Sequence, residues 1–178
     1  IEANISKINL KKLLHNNLDD SFNSITVDGD TSTSDTLMLF GLNSKKLQMI
    51  NDKKDLEKIS KGLNNIMINL AKQVVCDGEG ISKLIKINVK GCKTQKQANN
   101  ISFGIGNSQL VKTAIAGEDA NWGRIIMAIG KSDAQVKQNK IQLKFGNFLV
   151  AHNGMMFNKI NITKLNKYIK KKIIEINV

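Results

Sequence analysis

Helix, turn and strand patterns follow one another in KDLEKISKGLNNIMINLAKQVVCDGEGISKLIKINV, residues 54–89, and this succession indicates a fold that mixes helices with strands. In the first part of this stretch, apolar residues recur every three or four positions, as on one face of an amphipathic helix. That face consists of Leu56, Ile59, Leu63, Ile66, Leu70 and Val74. In its last part, Ile85, Ile87 and Val89 alternate with polar residues, which is the period of a half-buried strand. The stretch predicts a helix over 54–75, then a glycine-rich turn and a strand.

Both kinds of element are also predicted on either side of this stretch. Towards the N-terminus the pattern predicts a helix over 6–20 capped by Ser6, a short strand over 24–27 and a buried strand over 36–42. Towards the C-terminus it predicts a helix over 94–107, a strand over 110–116, a loop over 117–124, an apolar element of either type over 125–129, strands over 141–145 and 148–151, a helix over 162–172 and a strand from 173. Strands mixed with helices throughout indicate an α+β or α/β domain.

Composition restricts the class of protein. With 178 residues, 41% of them hydrophobic, the chain is long enough to bury a core. Its apolar runs are far shorter than the roughly 20 residues of a membrane-spanning helix, so we expect a soluble protein with no membrane partner. Cys76 and Cys92 form neither a disulfide framework nor a zinc motif, and His15 and His152 have no cysteine near them in sequence. A reducing compartment and no metal site are expected.

The net charge of +12 raises the question of nucleic-acid binding. All but one of the 27 basic residues are lysine, Arg124 being the exception, and aromatic residues make up only 4% of the chain. Surfaces that read bases or stack on them are rich in arginine and aromatics. We therefore expect no nucleic-acid partner, and a basic binding module remains the alternative from a non-enzyme class.

The loop VDGDTSTSD, residues 27–35, concentrates acidic and hydroxyl side chains. A calcium loop counted from Asp28 would need glycine and glutamate where Thr33 and Leu39 stand, so that hypothesis fails. Two interpretations stay open. Either the side chains satisfy local backbone groups in a turn, or the loop shapes a site.

Two further loops gather chemistry-bearing residues. Asp77-Gly78-Glu79-Gly80 places carboxylates between glycines, where one of them could bind an ammonium group or simply end a helix. The segment GEDANWGR, residues 117–124, lacks the spacing of a phosphate loop, and Arg124 in it could pair with Glu118 or Asp119. The dinucleotide interpretation of 104–106 fails because the third glycine is replaced by Gln109.

No serine or cysteine lies in a nucleophile-elbow context, and no histidine accompanies the polar loops. Three stretches nevertheless resemble one known family. SFNSITVDGDTSTSDT at 21–36, DGEGISKLI at 77–85 and LVKTAIAGEDANWGRI at 110–125 are similar to the β chain of ornithine acetyltransferase, also called glutamate N-acetyltransferase. They come in the order of that family and at about its spacing, and the resemblance is good over 13–130.

The resemblance implies an α+β fold: a layered α/β sandwich of the self-processing ornithine acetyltransferase and aminopeptidase type, with a smaller C-terminal α/β domain. Residues 1–80 would belong to the catalytic sandwich and residues 81–178 to the second domain. We expect a cytoplasmic protein. Family members are made as one precursor that cleaves itself into α and β chains, which typically form an α2β2 heterotetramer. The nucleophile is the threonine that begins the β chain, which the resemblance places just upstream of Ile1, so that no catalytic residue is expected in 1–178.

The resemblance also implies a reaction and a site. The acetyl group of N-acetylornithine passes to glutamate through an acetyl-threonine, without metal or organic cofactor, and acetyl-CoA is a further donor substrate in some members. Glu79 would contact the bound amino-acid substrate, while Asp30, Thr31 and Asp77 would belong to the frame of the site. Ala120 stands where the family has proline. A self-processing aminopeptidase or amidohydrolase of the same superfamily is the alternative activity.

Overall fold

The computed structural model describes residues 3–42 and 46–178. The chain divides into two compact units, Ile1–Gly78 and Glu79–Val178. Helices occur in both units, and the second also contains a five-stranded sheet. This mixture confirms the predicted α+β class. The assignment of 1–80 to a catalytic sandwich and 81–178 to a C-terminal domain stays a prediction.

The first unit is built on two helices. Helix α1 spans Lys7–Leu18, and the Ser6 side chain caps it by accepting a hydrogen bond from the Asn9 backbone N–H at 3.2 Å, as predicted. A 3-10 turn follows at Phe22–Ser24, and helix α2 spans Lys53–Cys76. The buried side chains of the core of this unit are Ile5, Leu13, Leu63 and Met67. Both helices lie close to their predicted positions.

The buried face of α2 differs from the predicted one. Leu63, Met67 and Ala71 are buried, whereas Ile66 and Leu70 keep 59% and 42% of their surface exposed. The helix therefore carries two neighbouring apolar stripes, of which only one packs into the core of this unit. Periodicity indicates that apolar stripes exist, but not which of them has a partner.

The strands predicted over 24–27 and 36–42 are absent from the structure. The first overlaps the 3-10 turn, and 36–42 has no strand assignment. Side chains in the second segment still alternate, since Leu37 and Leu39 pack against the core of the first unit while Met38 and Phe40 are exposed. The prediction was wrong because a strand also needs a ladder partner, and the described part of this unit contains no strand.

The second unit contains the sheet. Its strands are β1 at Leu84–Asn88, β2 at Leu143–Phe145, β3 at Phe148–His152, β4 at Met155–Met156 and β5 at Ile173–Asn177. Their order is β1-β5-β2-β3-β4, with β1 parallel to β5 and the other neighbouring pairs antiparallel. The tight turn between β2 and β3 uses Gly146 at φ +54°, as the Gly146-Asn147 pattern predicts. Strands β1, β2, β3 and β5 were all predicted.

Four α-helices and a 3-10 turn at Gln138–Lys140 complete the described part of the second unit. The α-helices are α3 at Gln95–Gly106, α4 at Gln109–Ala116, α5 at Trp122–Lys131 and α6 at Ile162–Ile169. Apolar side chains from these helices and from the sheet form one buried cluster, in which Phe145 and Ile105 are fully buried.

The predicted strand over 110–116 is wrong, because this segment is helix α4. Val111, Ala114 and Ile115 are buried at helical spacing, and the Ser108 side chain caps the helix by accepting from the Val111 N–H. The undecided element over 125–129 belongs to α5. Within residues 3–42 and 46–178, no helix is both long and apolar enough to span a membrane.

Candidate functional site

The acidic turn DGEG follows α2 and leads towards β1. Asp77 ends the helix, with its backbone N–H donating to the carbonyls of Gln73 at 3.0 Å and Val74 at 3.3 Å. Gly80 adopts a φ of +70°, in the left-handed region that favours glycine. Asp77 and Glu79 are both exposed. The helix-ending interpretation of this turn is therefore correct for Asp77, and it does not exclude ligand binding by Glu79.

The Glu79 carboxylate has no partner among the described residues. The ion pairs among the described residues join Lys58 to Asp55, Lys83 to Glu118 and Lys86 to Glu175, and none of them includes Glu79. An exposed carboxylate without a protein cation beside it is available to a cationic ligand group. This property fits the predicted substrate contact, and the substrate role of Glu79 stays a prediction.

Lys83 is the next side chain after this turn that is well buried, with 9% of its side chain exposed. Its ammonium group donates to the carbonyl oxygen of Ile169 at 2.7 Å and lies 3.4 Å from the carboxylate of Glu118. Sequence patterns did not single out Lys83, because its partners are 35 and 86 residues away. The structure thus connects the segment after DGEG with the GEDANWGR loop inside the second unit.

The GEDANWGR loop begins with a C-terminal cap of α4. The N–H of Glu118 donates to the carbonyl of Ile115 at 3.1 Å, and the N–H of Asp119 donates to the carbonyl of Ala114 at 2.9 Å. This pair of bonds is the Schellman arrangement, whose left-handed residue is usually glycine. Here the left-handed residue is Glu118, with φ +59°.

Arg124 does not pair with Glu118 or Asp119, which corrects that alternative. Its guanidinium Nη1 donates instead to the carbonyl of Leu110 at 2.9 Å and to the Thr113 hydroxyl at 3.1 Å. The sole arginine therefore ties the first turn of α5 to α4. Trp122, at the start of α5, is half-buried against the apolar cluster of the second unit. Both residues support the packing of this loop.

The VDGDTSTSD loop lies in the first unit and is exposed. The Asp28 carboxylate accepts a hydrogen bond from the Asp30 backbone N–H at 2.9 Å, and the Ser32 hydroxyl accepts from the N–H groups of Ser34 and Asp35. Local side-chain to backbone bonds of this kind are those predicted for a turn. Asp30 and Thr31 are exposed, and their part in framing a site stays a prediction.

Metal-ligand side chains are dispersed in the described ranges. No group of three His, Cys, Asp or Glu residues there is arranged to hold a metal ion. Cys76 and Cys92 are free thiols, and His15 and His152 are exposed.

The fold and the turn together define an α+β protein in which an exposed acidic turn joins a long helix to the first strand of a mixed sheet. The family model described as the ArgJ family matches residues 1–178, and the chain belongs to that family.

Relatives and a solved structure agree with this assignment. The chain is 45% identical over 179 aligned positions to the arginine biosynthesis bifunctional protein ArgJ of Bartonella henselae, covering 99% of the chain and 44% of that protein. Its identity to the protein of the same name from Bradyrhizobium diazoefficiens is 44%, covering 86% of the chain and 38% of that protein. The crystal structure of ArgJ from Bacillus halodurans superposes with a TM-score of 0.89 at 35% identity, covering 99% of the chain and 84% of that structure's chain. The chain thus spans less than half the length of these curated relatives.

Proposed function

We propose that the whole protein is an acetyltransferase of arginine biosynthesis that moves the acetyl group of N2-acetyl-L-ornithine to L-glutamate. The observation that carries this proposal is the match of the ArgJ family model to all 178 residues. The relatives that match the chain are named arginine biosynthesis bifunctional protein. The three stretches that resemble ornithine acetyltransferase all lie within the matched residues. Transfer through a covalent acetyl-enzyme is the finer form of the proposal.

The nucleophile is a threonine hydroxyl just upstream of Ile1, exposed when a precursor cleaves itself. Its oxygen attacks the acetyl carbonyl carbon, the C–N bond of the amide breaks, and ornithine leaves with the proton. The α-amine of glutamate then attacks the acetyl ester, the C–O bond breaks and the threonine hydroxyl is restored. An N-terminal threonine can use its own α-amine as base, so this chemistry requires no histidine.

Glu79 would hold the amino-acid part of the substrate. Its carboxylate is exposed and has no cation beside it within the described residues, so an ammonium group of N-acetylornithine can take that place. A charge-assisted hydrogen bond of this type contributes about 1.5–3 kcal/mol. The glycines on either side of Glu79 leave its backbone open to a ligand. Asp30, Thr31 and Asp77 would frame the same site.

The partner would be the α chain of the same precursor, in an α2β2 heterotetramer. Two features of the first unit support an α chain docked there. The second apolar stripe of α2, formed by Ile66, Leu70 and Val74, is exposed, and so are Met38 and Phe40 in the alternating segment 36–42. The relatives are more than twice as long as the matched region. Such a relative therefore has residues outside the match that could cover these surfaces. A segment whose side chains alternate between packed and exposed fits addition to a sheet edge of the α chain.

The reaction as proposed uses no metal and no organic cofactor, and acetyl-CoA is proposed as a further donor. A cytoplasmic location belongs to the same proposal, since the substrates, N-acetylornithine and glutamate, are small soluble metabolites.

Glu79→Gln in the full-length precursor tests the role of Glu79. We expect the KM for N-acetylornithine to rise about tenfold or more, since about 1.4 kcal/mol of binding is a factor of ten, while self-cleavage continues. Glu57→Gln, an exposed glutamate on α2, is the matched control and should leave the KM unchanged. An unchanged KM in Glu79→Gln would remove Glu79 from the site.

The alternative activity is that of a self-processing aminopeptidase or amidohydrolase, in which water accepts the acetyl group. Release of free acetate while glutamate is abundant would favour this hydrolase over the acetyltransferase.

A further inference from the structure

The ammonium group of Lys83 has three acceptors within the second unit. Two are backbone carbonyls at the C-terminal end of α6 and just beyond it, Ile169 at 2.7 Å and Lys171 at 3.4 Å, and the third is the Glu118 carboxylate at 3.4 Å. The last carbonyls of a helix carry partial negative charge, which favours a cation there. Only 9% of the Lys83 side chain is exposed, whereas lysines are rarely so well buried without such partners.

Glu118 occupies a backbone position that favours glycine. Its φ is +59°, and it holds the left-handed place of the Schellman cap at the end of α4. A glutamate there strains the backbone, and strained backbone positions of this kind cluster at functional sites. The side chain of Glu118 is the one that meets Lys83.

The position of Lys83 in the chain connects this cluster to Glu79. The three residues between them, Gly80, Ile81 and Ser82, are all exposed. Lys83 directly precedes β1, whose first backbone N–H, that of Leu84, donates to the carbonyl of Lys172 at 2.8 Å. Lys83 is therefore the first well-buried side chain downstream of Glu79.

We propose that Lys83 and Glu118 are positioning residues: they clamp the segment after DGEG onto the end of α6 and the cap of α4, and so hold Glu79 where it meets the substrate. The expected effect of the clamp on kinetics rests on the proposed function. The clamp itself rests on geometry alone. The clamp acts through Glu79, so removing it matters for substrate binding only while the Glu79 carboxylate is present.

A double-mutant cycle in the full-length, self-processed protein tests the clamp. Lys83→Met keeps the aliphatic stem and removes the ammonium group. We expect it to lower kcat/KM for N-acetylornithine about tenfold or more, because small displacements of positioning groups cost up to about 100-fold. In the Glu79→Gln background, we expect the same substitution to cost less than about twofold, since residues that act as a unit are not additive. An equal loss in both backgrounds, or no loss in either, would overturn the clamp.

Lys86→Met is the matched control. Lys86 lies on β1 and is also ion-paired, to Glu175 at 3.7 Å, but its side chain is 41% exposed. We expect its kcat/KM to stay within about twofold of the wild-type value, because exposed ion pairs contribute little.

A second variant keeps the proposal testable if Lys83→Met does not fold. Glu118→Gly removes the carboxylate and relieves the left-handed strain, so the Tm should stay within about 4 °C of wild type. A fall in kcat/KM at an unchanged Tm, absent in the Glu79→Gln background, supports the clamp. An unchanged kcat/KM overturns the part assigned to Glu118.

Hydrogen exchange separates the clamp from the proposed function. Peptides covering 83–88 should exchange about tenfold faster in Lys83→Met than in Lys86→Met, whatever reaction the enzyme catalyses, because the opening of β1 becomes easier. Equal exchange overturns the clamp. Faster exchange in Lys83→Met, combined with a wild-type protein that transfers no acetyl group, supports the clamp and refutes the proposed function.

Discussion

Substituting Gly104 tests how closely α3 and α5 approach each other. A Cβ atom added at Gly104 would lie 2.9 Å from the Cβ of Ser132 and 3.3 Å from the backbone oxygen of Ala128. That oxygen already accepts the Ser132 N–H at 3.1 Å, so it belongs to the end of α5 and cannot move freely. Alanine would gain about 1 kcal/mol of helix propensity and lose about 1–3 kcal/mol to overpacking. We expect Gly104→Ala to be neutral or to destabilise the protein by up to about 2 kcal/mol.

Gly130→Ala is the control within the same helix pair. No atom lies within 4 Å of a Cβ added at Gly130, so only the propensity gain of about 1 kcal/mol applies. The free energies of unfolding of the two variants should differ by about 1–3 kcal/mol. Each kcal/mol corresponds to about 2–4 °C in Tm. Urea and thermal unfolding of the full-length protein followed by circular dichroism measure the difference. If Gly104→Ala stabilised the protein as much as Gly130→Ala, the close packing of α3 on α5 would be refuted.

Two further predictions concern the two units separately. Phe145→Ala, at a fully buried position of the sheet, should cost about 3–5 kcal/mol in urea unfolding, and half-buried Phe148→Ala should cost less; equal costs would contradict the placement of the core. In the first unit, Ile66→Ser with Leu70→Ser should leave stability of the isolated chain within about 0.5 kcal/mol, since both side chains are exposed, and should weaken capture of the α chain in a pull-down assay. Unchanged capture would show that this stripe is not the docking surface.

Long periodic segments could be predicted from sequence. The two long helices of the first unit and the strand pattern after DGEG each have a repeating apolar period over many residues, and the structure confirms them. The Gly146-Asn147 turn was predictable because its left-handed glycine has a known role in tight hairpins. The three polar loops were found by residue type, and their resemblance to one family led to Glu79.

Features that depend on contacts distant in sequence could not be predicted. Residues 110–116 form a short apolar run that suits a strand or a helix equally. The helix buries Val111, Ala114 and Ile115, of which Val111 and Ile115 belong to the apolar cluster of the second unit. Residues 36–42 have the alternation of a strand without a ladder partner in the described part of their unit. Lys83 and Glu118 lie 35 positions apart in sequence, so no local sequence pattern predicts their contact.

The path of the acetyl group tests the proposed transfer through the threonine most directly. The full-length precursor, after self-cleavage, is incubated with N-acetylornithine carrying a labelled acetyl group, and the label is followed by mass spectrometry of the peptide at the new N-terminus and of the free products. We expect the label on the N-terminal threonine before glutamate is added and on glutamate afterwards. Label that never enters that threonine, or that appears as free acetate while glutamate is abundant, would contradict the proposed mechanism.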